Sequence, residues 1–304
     1  MTRLSANLLF FIVSILLISC SADNSSQKEG AALAENVQDS TDITMAIDGL
    51  DGPEAVRYDP GQDVYFISNF TGGGTDRDRN GFITKALPDG SIDSLRFMVG
   101  TDEYPLHAPR GMYITGDTLW AADVDGIHGF NKNTSEQVAF IDFTSFEPGF
   151  LNDIVEGTDG NLYVTDTGKS AVYQIAGGTP TVYKDSLDAA PNGITLDPET
   201  GNLVLAPWGG ATVFPALLAG DSGSEVFAEA QSGGNFDGIE FVNGNLIAAS
   251  QMDSSLHELR NGMDQILIQT PGRPADIGID TKRNLVLVPY IALNRVDVWQ
   301  LSGN

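Results

Sequence analysis

"APNGITLDPETGNLVLAP", residues 190–207, is the stretch on which the fold turns. Pro191, Asn192 and Gly193 lead into a short alternating run, a Pro-Glu-Thr-Gly turn follows, and a second, apolar run completes the phrase. Two such runs around a turn signal read as paired antiparallel strands. The phrase returns along the chain: "PEAVRYDPGQDVYFISN" from Pro53, "PRGMYITGDTLWAAD" from Pro109, "LNDIVEGTDGNLYVTD" from Leu151, "FDGIEFVNGNLIAAS" from Phe236 and "PADIGIDTKRNLVLVP" from Pro274. With Pro191 these heads are spaced 56, 42, 40, 45 and 38 residues apart. A repeat of about 40–45 residues is typical of a four-stranded propeller blade. Each copy adds a third run, such as "SAVYQIA" (170–176), and a fourth, such as "DQILIQT" (264–270). The sixth copy ends after its third run at Leu301, and a spare strand, "ITMAI" (43–47), precedes the first. The expected fold is all-β: a six-bladed β-propeller of four-stranded blades, with the N-terminal strand completing the last blade so that no bare sheet edge remains.

The 304 residues include 34 glycines, 14 prolines and one cysteine, with a formal net charge of −25. Such acidity repels phosphates, so no nucleic-acid partner is expected. "MTRLSANLLFFIVSILLISC" has a basic start at Arg3 and an apolar run too short to span a bilayer. Its end, Leu17-Ile18-Ser19-Cys20, resembles the bacterial lipoprotein lipobox. Residues 1–19 are expected to be a lipoprotein signal peptide, Cys20 the lipidated residue, 20–42 a flexible linker and 43–304 the propeller. An ordinary signal peptide with an incidental cysteine is the alternative. The chain is expected at the cell envelope as an exported lipoprotein and a monomer, touching membrane only through the anchor. A lone cysteine leaves no intramolecular disulfide and no catalytic thiol.

In a propeller the first strand of each blade lines the axis, so the second residue of each head forms a ring. In order it reads Glu54, Arg110, Asn152, Asn192, Asp237 and Ala275. Four of the six offer oxygen, two as carboxylates, which is what a hard divalent cation needs. Asn192-Gly193 and Asp237-Gly238 are also ordinary turn dipeptides, but Glu54 has no turn role.

These heads, "GPE" (52–54), "LND" (151–153), "PNG" (191–193) and "FDG" (236–238), resemble the regucalcin/gluconolactonase family and, more loosely, the paraoxonases and diisopropyl fluorophosphatase. The resemblance spans 43–301. It implies a divalent ion on the axis, Ca²⁺ first and Zn²⁺ or Mg²⁺ as alternatives, with Glu54, Asn192 and Asp237 as ligands and Asn152 as ligand or substrate contact. Two departures stand out. Asn152-Asp153 is followed by Ile154 rather than Gly, and Phe150 replaces an arginine of some sugar-lactonase members. The implied function is metal-dependent hydrolysis of a small lactone or related ester, the ion polarising the carbonyl and water attacking. Asp237 or Glu54 is the expected catalytic base.

Arg110 and His107, in "LHAPRG", are further substrate-binding candidates at the channel mouth, His107 also as a proton shuttle. Arg110 is equally suited to pairing with Glu54 or Asp237. His128 and His257 fall in third runs, away from the axis, and read as structural. Trp208 either walls a pocket or packs between blades. Asp76, Asp78 and Asn80 begin a calcium-loop pattern, but Leu87 stands where its closing Glu belongs, so a solvated turn is expected. No phosphate loop, H-E-x-x-H or nucleophile elbow is present. The competing function is a non-catalytic binding propeller, since the repeats also resemble NHL-type interaction propellers without an axial metal.

Overall fold

A computed structural model describes residues 43–218, 223–260 and 262–301. The expected signal peptide, Cys20 and linker lie outside the described residues. Strand β1 (Ile43–Ile47) is followed by six heads. Blade 1 comprises β2 (Pro53–Asp59), β3 (Val64–Asn69), β4 (Phe82–Ala86) and β5 (Ile92–Met98). Blade 2 comprises β6 (Met112–Thr115), β7 (Thr118–Ala122), β8 (Gly126–Asn131) and β9 (Gln137–Asp142). Blade 3 runs from β10 (Leu151–Glu156) through β11 (Leu162–Asp166) and β12 (Ala171–Ala176) to β13 (Thr179–Lys184). Blade 4 runs from β14 (Pro191–Leu196) through β15 (Leu203–Pro207) and β16 (Val213–Leu217) to β17 (Ser224–Glu229). Blade 5 holds β18 (Phe236–Val242), β19 (Asn245–Ser250), β20 (Ser255–Arg260) and β21 (Met263–Gln269). Blade 6 holds β22 (Gly278–Asp280), β23 (Leu285–Tyr290) and β24 (Arg295–Gln300). Its fourth strand is β1, antiparallel to β24 in the register Met45↔Val298 and Ile47↔Val296.

The second strands of five blades are buried throughout, β7 alone leaving Thr118 and Trp120 half-buried, which is why "VYFISN", "NLIAAS" and "LVLVPY" read as almost unbroken apolar runs. The fourth strands face solvent and alternate, as in "TPTVYK". Six separate hydrophobic clusters fill the interfaces, one for each neighbouring pair of blades. The cluster joining blade 6 to blade 1, with Ile47, Val56, Tyr65, Leu287 and Val298, is what makes the ring closed, because an open arc of six blades has five interfaces.

Two local devices set the axial side chains. A polar residue at or next to the end of the second strand ties down the segment entering the first. Asp166 accepts from the Gly149 and Phe150 N–H groups, and Asp123 from those of His107 and Ala108. Asn69 does the same for Asp51, and Ser250 for Gly234. Next, in blades 1, 3, 4 and 5 the first strand carries a β-bulge between its head residue and the residue three further on. Those bulges contain Glu54, Asn152, Asn192 and Asp237. Bulges re-aim side chains at functional rims.

Candidate active site

The turn reading of Asn192-Gly193 and Asp237-Gly238 is corrected here: both dipeptides lie inside strands, and none of the four residues has positive φ. Their glycines answer to crowding at the axis. A Cβ on Gly238 would collide with Asp276 and the Ile277 backbone, and one on Gly193 with the Asp237 carbonyl. Neighbouring first strands approach this closely because they bond one another around the axis: Asp276 N–H donates to Glu54 O at 2.8 Å, and Gly111 N–H to Asn152 O at 3.0 Å.

Glu54, Asn152, Asn192 and Asp237 are each buried, between 3% and 4% exposed. Glu54 Oε2, Asn192 Oδ1 and Asp237 Oδ1 have no hydrogen-bond partner among the described residues. Asn152 commits its amide nitrogen to Thr167 Oγ1 at 3.0 Å, leaving its oxygen uncommitted. The other oxygen of Asp237 accepts from Gln251 Nε2 at 2.6 Å. Burial pushes the Glu54 carboxyl well above its usual range, and the charges of Asp237 and Asp276 push it further, with Arg110 opposing. Burial likewise raises Asp237 to about 7, against the Gln251 hydrogen bond and with help from Asp153. Glu54 thus feels the charge of Asp237, and among the described residues neither is hydrogen-bonded by an arginine.

A buried acceptor without a donor forfeits its solvation, about 1–3 kcal/mol and more if charged. Three such oxygens, from three blades, are the donor set of a hard cation; amide and carboxylate oxygens suit Ca²⁺, Mg²⁺ or Mn²⁺ better than a soft metal. The residues present therefore fit the axial ion.

Arg110 is 1% exposed. Its Nη1 donates to Leu151 O at 3.1 Å and its guanidinium stacks 3.8 Å over the Phe150 ring, so it supplies fixed positive charge near Glu54 without bonding to it. Phe150 is thus a platform for the cation. Gly74, in the long β3–β4 loop, lies against the rings of Phe70 and Phe150. Trp208, half-buried, donates its backbone N–H to Ala190 O beside the entry to β14. His107 belongs to another cluster: its Nδ1 accepts from Arg79 N–H at 3.1 Å, and its Nε2 lies 3.7 Å from Asp125. In the β3–β4 loop Asp78 bonds Asn80 rather than gathering with Asp76 around a site.

Sequence reasoning missed a second layer further along the same strands. Arg57, three residues past Glu54, reaches Asp153 of blade 3 at 3.1 Å and Asp276 of blade 6 at 2.8 Å, and Glu240 of blade 5 lies 4.0 Å away. Burial opposes its charge, yet Asp276, Asp153 and Glu240 hold its pKa above the usual arginine value. The available signal was charge within otherwise apolar first strands, as in "PEAVRYD" and "FDGIEFV".

No protein-family profile matches the sequence. No curated protein matches it either. Solved structures do. A gluconolactonase from Xanthomonas campestris is 15% identical, with a TM-score of 0.64 over 88% of this chain and 96% of that one. A calcium-binding protein, regucalcin, from Agrobacterium tumefaciens is 16% identical, with a TM-score of 0.63 over 83% and 91%. Virginiamycin B lyase from Staphylococcus aureus is 14% identical, with a TM-score of 0.60 over 85% and 99%. At these identities the likeness is one of fold: the chain has the six-bladed propeller architecture of the gluconolactonase and regucalcin structures.

Proposed function

We propose that this chain is a metal-dependent hydrolase of a small lactone or related ester, working at the hub. The observation that carries the reading is the set of three unpartnered buried oxygens, Glu54 Oε2, Asn192 Oδ1 and Asp237 Oδ1. Glu54, Asn192 and Asp237 would hold the ion, with Asn152 as a further ligand or a substrate contact. When bound, a divalent cation there supplies Lewis-acid polarisation of a carbonyl and compensation for developing negative charge. The chain's own groups do the rest. Asp237 is the base: Gln251 fixes one of its oxygens, and the carboxylate, kept ionised by an ion in place, is able to accept a proton. Glu54 is the alternative base. Arg110, immobilised on Phe150, holds positive charge beside the reacting centre.

The gluconolactonase among the structural neighbours supports lactone chemistry, and the regucalcin supports calcium. The lyase neighbour makes the product worth weighing: hydrolysis adds the mass of one water and elimination adds none. None of the three histidines bonds to Glu54, Asn152, Asn192 or Asp237, so a carboxylate has to serve as base in either case. The test is a panel of lactones and aryl esters, with and without chelator, on wild type and Asp237→Ala. Chelator-sensitive turnover is expected, falling by roughly 10²–10⁴ in the variant. An ion-loaded protein inert on the whole panel would leave only the binding-propeller reading. The same proposal keeps the chain at the envelope through Cys20; unchanged membrane partitioning of Cys20→Ala would remove that part.

A further inference from the structure

We infer that blade 2 carries a second cation site, formed by Asp123, Asp125 and His128 and built for a borderline transition-metal dication such as Zn²⁺ or Co²⁺. It is independent of the hub. One ligand atom from each of the three residues lies within 4.8 Å of the others. His128 Nε2 is 3.5 Å from Asp123 Oδ2 and 3.9 Å from Asp125 Oδ1, too far for good hydrogen bonds. Ligand atoms about 2.0–2.2 Å from a tetrahedral zinc stand roughly 3.3–3.6 Å apart, so the 3.5 Å gap matches an ion's ligand shell and the 3.9 Å gap lies just beyond it.

The second observation is the state of His128 itself. The residue is fully buried, yet Nε2 has no hydrogen-bond partner, and neither has Asp125 Oδ1. Its other nitrogen, Nδ1, lies 2.9 Å from the Gln137 amide, whose Oε1 is also unpartnered. A half-turn of that amide would let Nδ1–H donate to Gln137 Oε1, the amide nitrogen then taking the unpartnered place. With Gln137 Nε2 donating to Nδ1, the ring turns Nε2–H towards the two carboxylates at 3.5 and 3.9 Å; with the amide turned, Nε2 is free to take a cation held between them instead. An imidazole held by one nitrogen and ligating through the other is the usual state of a metal-bound histidine.

Blade 5 supplies an internal comparison. His257 occupies the same third-strand position, and Asp264 takes the place of Gln137: Phe130 pairs with Gln137 as Leu259 pairs with Asp264. There both ring nitrogens are satisfied, Nδ1 by Asp264 at 2.6 Å and Nε2 by Asp253 at 3.1 Å. Only blade 2 leaves its histidine with a vacant nitrogen. Asp123 is already oriented by the N–H groups of His107, Ala108 and Val124. His107, whose Nδ1 is an acceptor, turns Nε2–H towards Asp125 and acts as an orienting group rather than a ligand. An imidazole nitrogen in the set disfavours Ca²⁺ and favours zinc or cobalt. Because Arg110 N–H bonds Ala122 O next to Asp123, an ion here would also stiffen the segment that carries Arg110.

The hub offers only oxygen donors, so cobalt separates the two sites. With Co²⁺ added to the chelator-treated full chain, the proton spectrum should show one strongly shifted, exchangeable imidazole N–H resonance. It should vanish in His128→Gln and persist in His257→Gln, and His128→Gln should bind one Co²⁺ fewer. No shifted resonance in the wild type, as an imidazolium merely neutralising the acids would give, overturns the proposal; so does its survival in His128→Gln. Should that variant fail to fold, Asp125→Asn serves, since Asp125 is partly exposed. Its Co²⁺ affinity should fall at least about tenfold with the metal-free melting temperature unchanged, and an unchanged affinity overturns the site.

Discussion

The hub contains two adjacent layers of buried carboxyls that the protein treats differently. In one, Asp153 and Asp276, though burial raises both and Asp276 Oδ1 is unpartnered, are each bonded by the guanidinium of Arg57, with Glu240 nearby. In the other, Glu54 feels the charge of Asp237, neither is bonded by an arginine, and each has an oxygen without a partner among the described residues. Arg110 stands beside that second layer but is spent on Leu151 and Phe150. A cation written into the sequence makes a layer permanent. One left out makes the layer conditional on what solution supplies, and chemistry needs the conditional kind.

The largest effect that tests this contrast is loss of the internal cation. Arg57→Met strands the acids it joins, and removing one partner of a buried ion pair costs about 3–5 kcal/mol. Urea unfolding of the chelated protein should show that loss, and adding Asp153→Asn and Asp276→Asn should recover most of it. A loss under about 1 kcal/mol would mean that the two layers do not differ as described.

A sharper comparison makes one substitution in both layers. Asp276→Asn removes half of an ion pair and should destabilise the chelated protein at pH 8 by about 1–3 kcal/mol. Asp237→Asn at the same pH removes a buried charge that has no counter-ion, and should stabilise by about 1 kcal/mol while lowering Ca²⁺ affinity by roughly two orders of magnitude. Equal signs in the two unfolding curves would erase the distinction.

Proton linkage gives the third test. Asp237 holds its proton up to about 7 in the metal-free fold and releases it at ordinary carboxylate values when unfolded. Between those values the native state binds more protons, so stability falls as pH rises, by up to about 1.4 kcal/mol per unit for each proton held. Melting of the chelated protein should therefore decline from pH 5 to pH 7. Saturating Ca²⁺ should flatten the decline, because an ion in place favours the ionised carboxylate. A chelated protein indifferent to pH across that span would sink the electrostatic account.

The sequence carried the ring positions and hid the layer behind them for one structural reason. Six heads at a fixed register expose Glu54, Asn152, Asn192 and Asp237, because each opens the strand that reaches the axis. Strand alternation then points to the residue two further on as the next to face the channel. In blades 1 and 5 the bulge inserts a residue, so Arg57 and Glu240, three positions on, face inward instead. A pairing shift of that kind leaves no trace in composition or period. The closing strand was legible for the opposite reason: a missing fourth run at one end and a spare one at the other are a matter of counting. The sequence reads His128 as structural and does not single out Asp125, because Asp-Val-Asp-Gly-Ile-His spans a hairpin, and only the folded turn brings those atoms together.

The smallest effect is the most specific. Gln251 donates to Asp237 Oδ2 at 2.6 Å, and this bond favours the ionised carboxylate. Gln251→Leu removes it, so the Asp237 pKa should rise by about one unit, the equivalent of one hydrogen bond to a charged group at 1.4 kcal/mol. Below pH 6 the chelated variant should melt like wild type, because Asp237 is already protonated in both. Near pH 8 it should lose about 1 kcal/mol, and Ca²⁺ affinity should drop about 10–100-fold through loss of the group that orients a ligand. None of this touches Arg57, so the effect should add to that of Asp276→Asn. Non-additivity of more than about 0.5 kcal/mol would mean that the layers communicate, and that the ion at the hub is felt by the arginine beyond it.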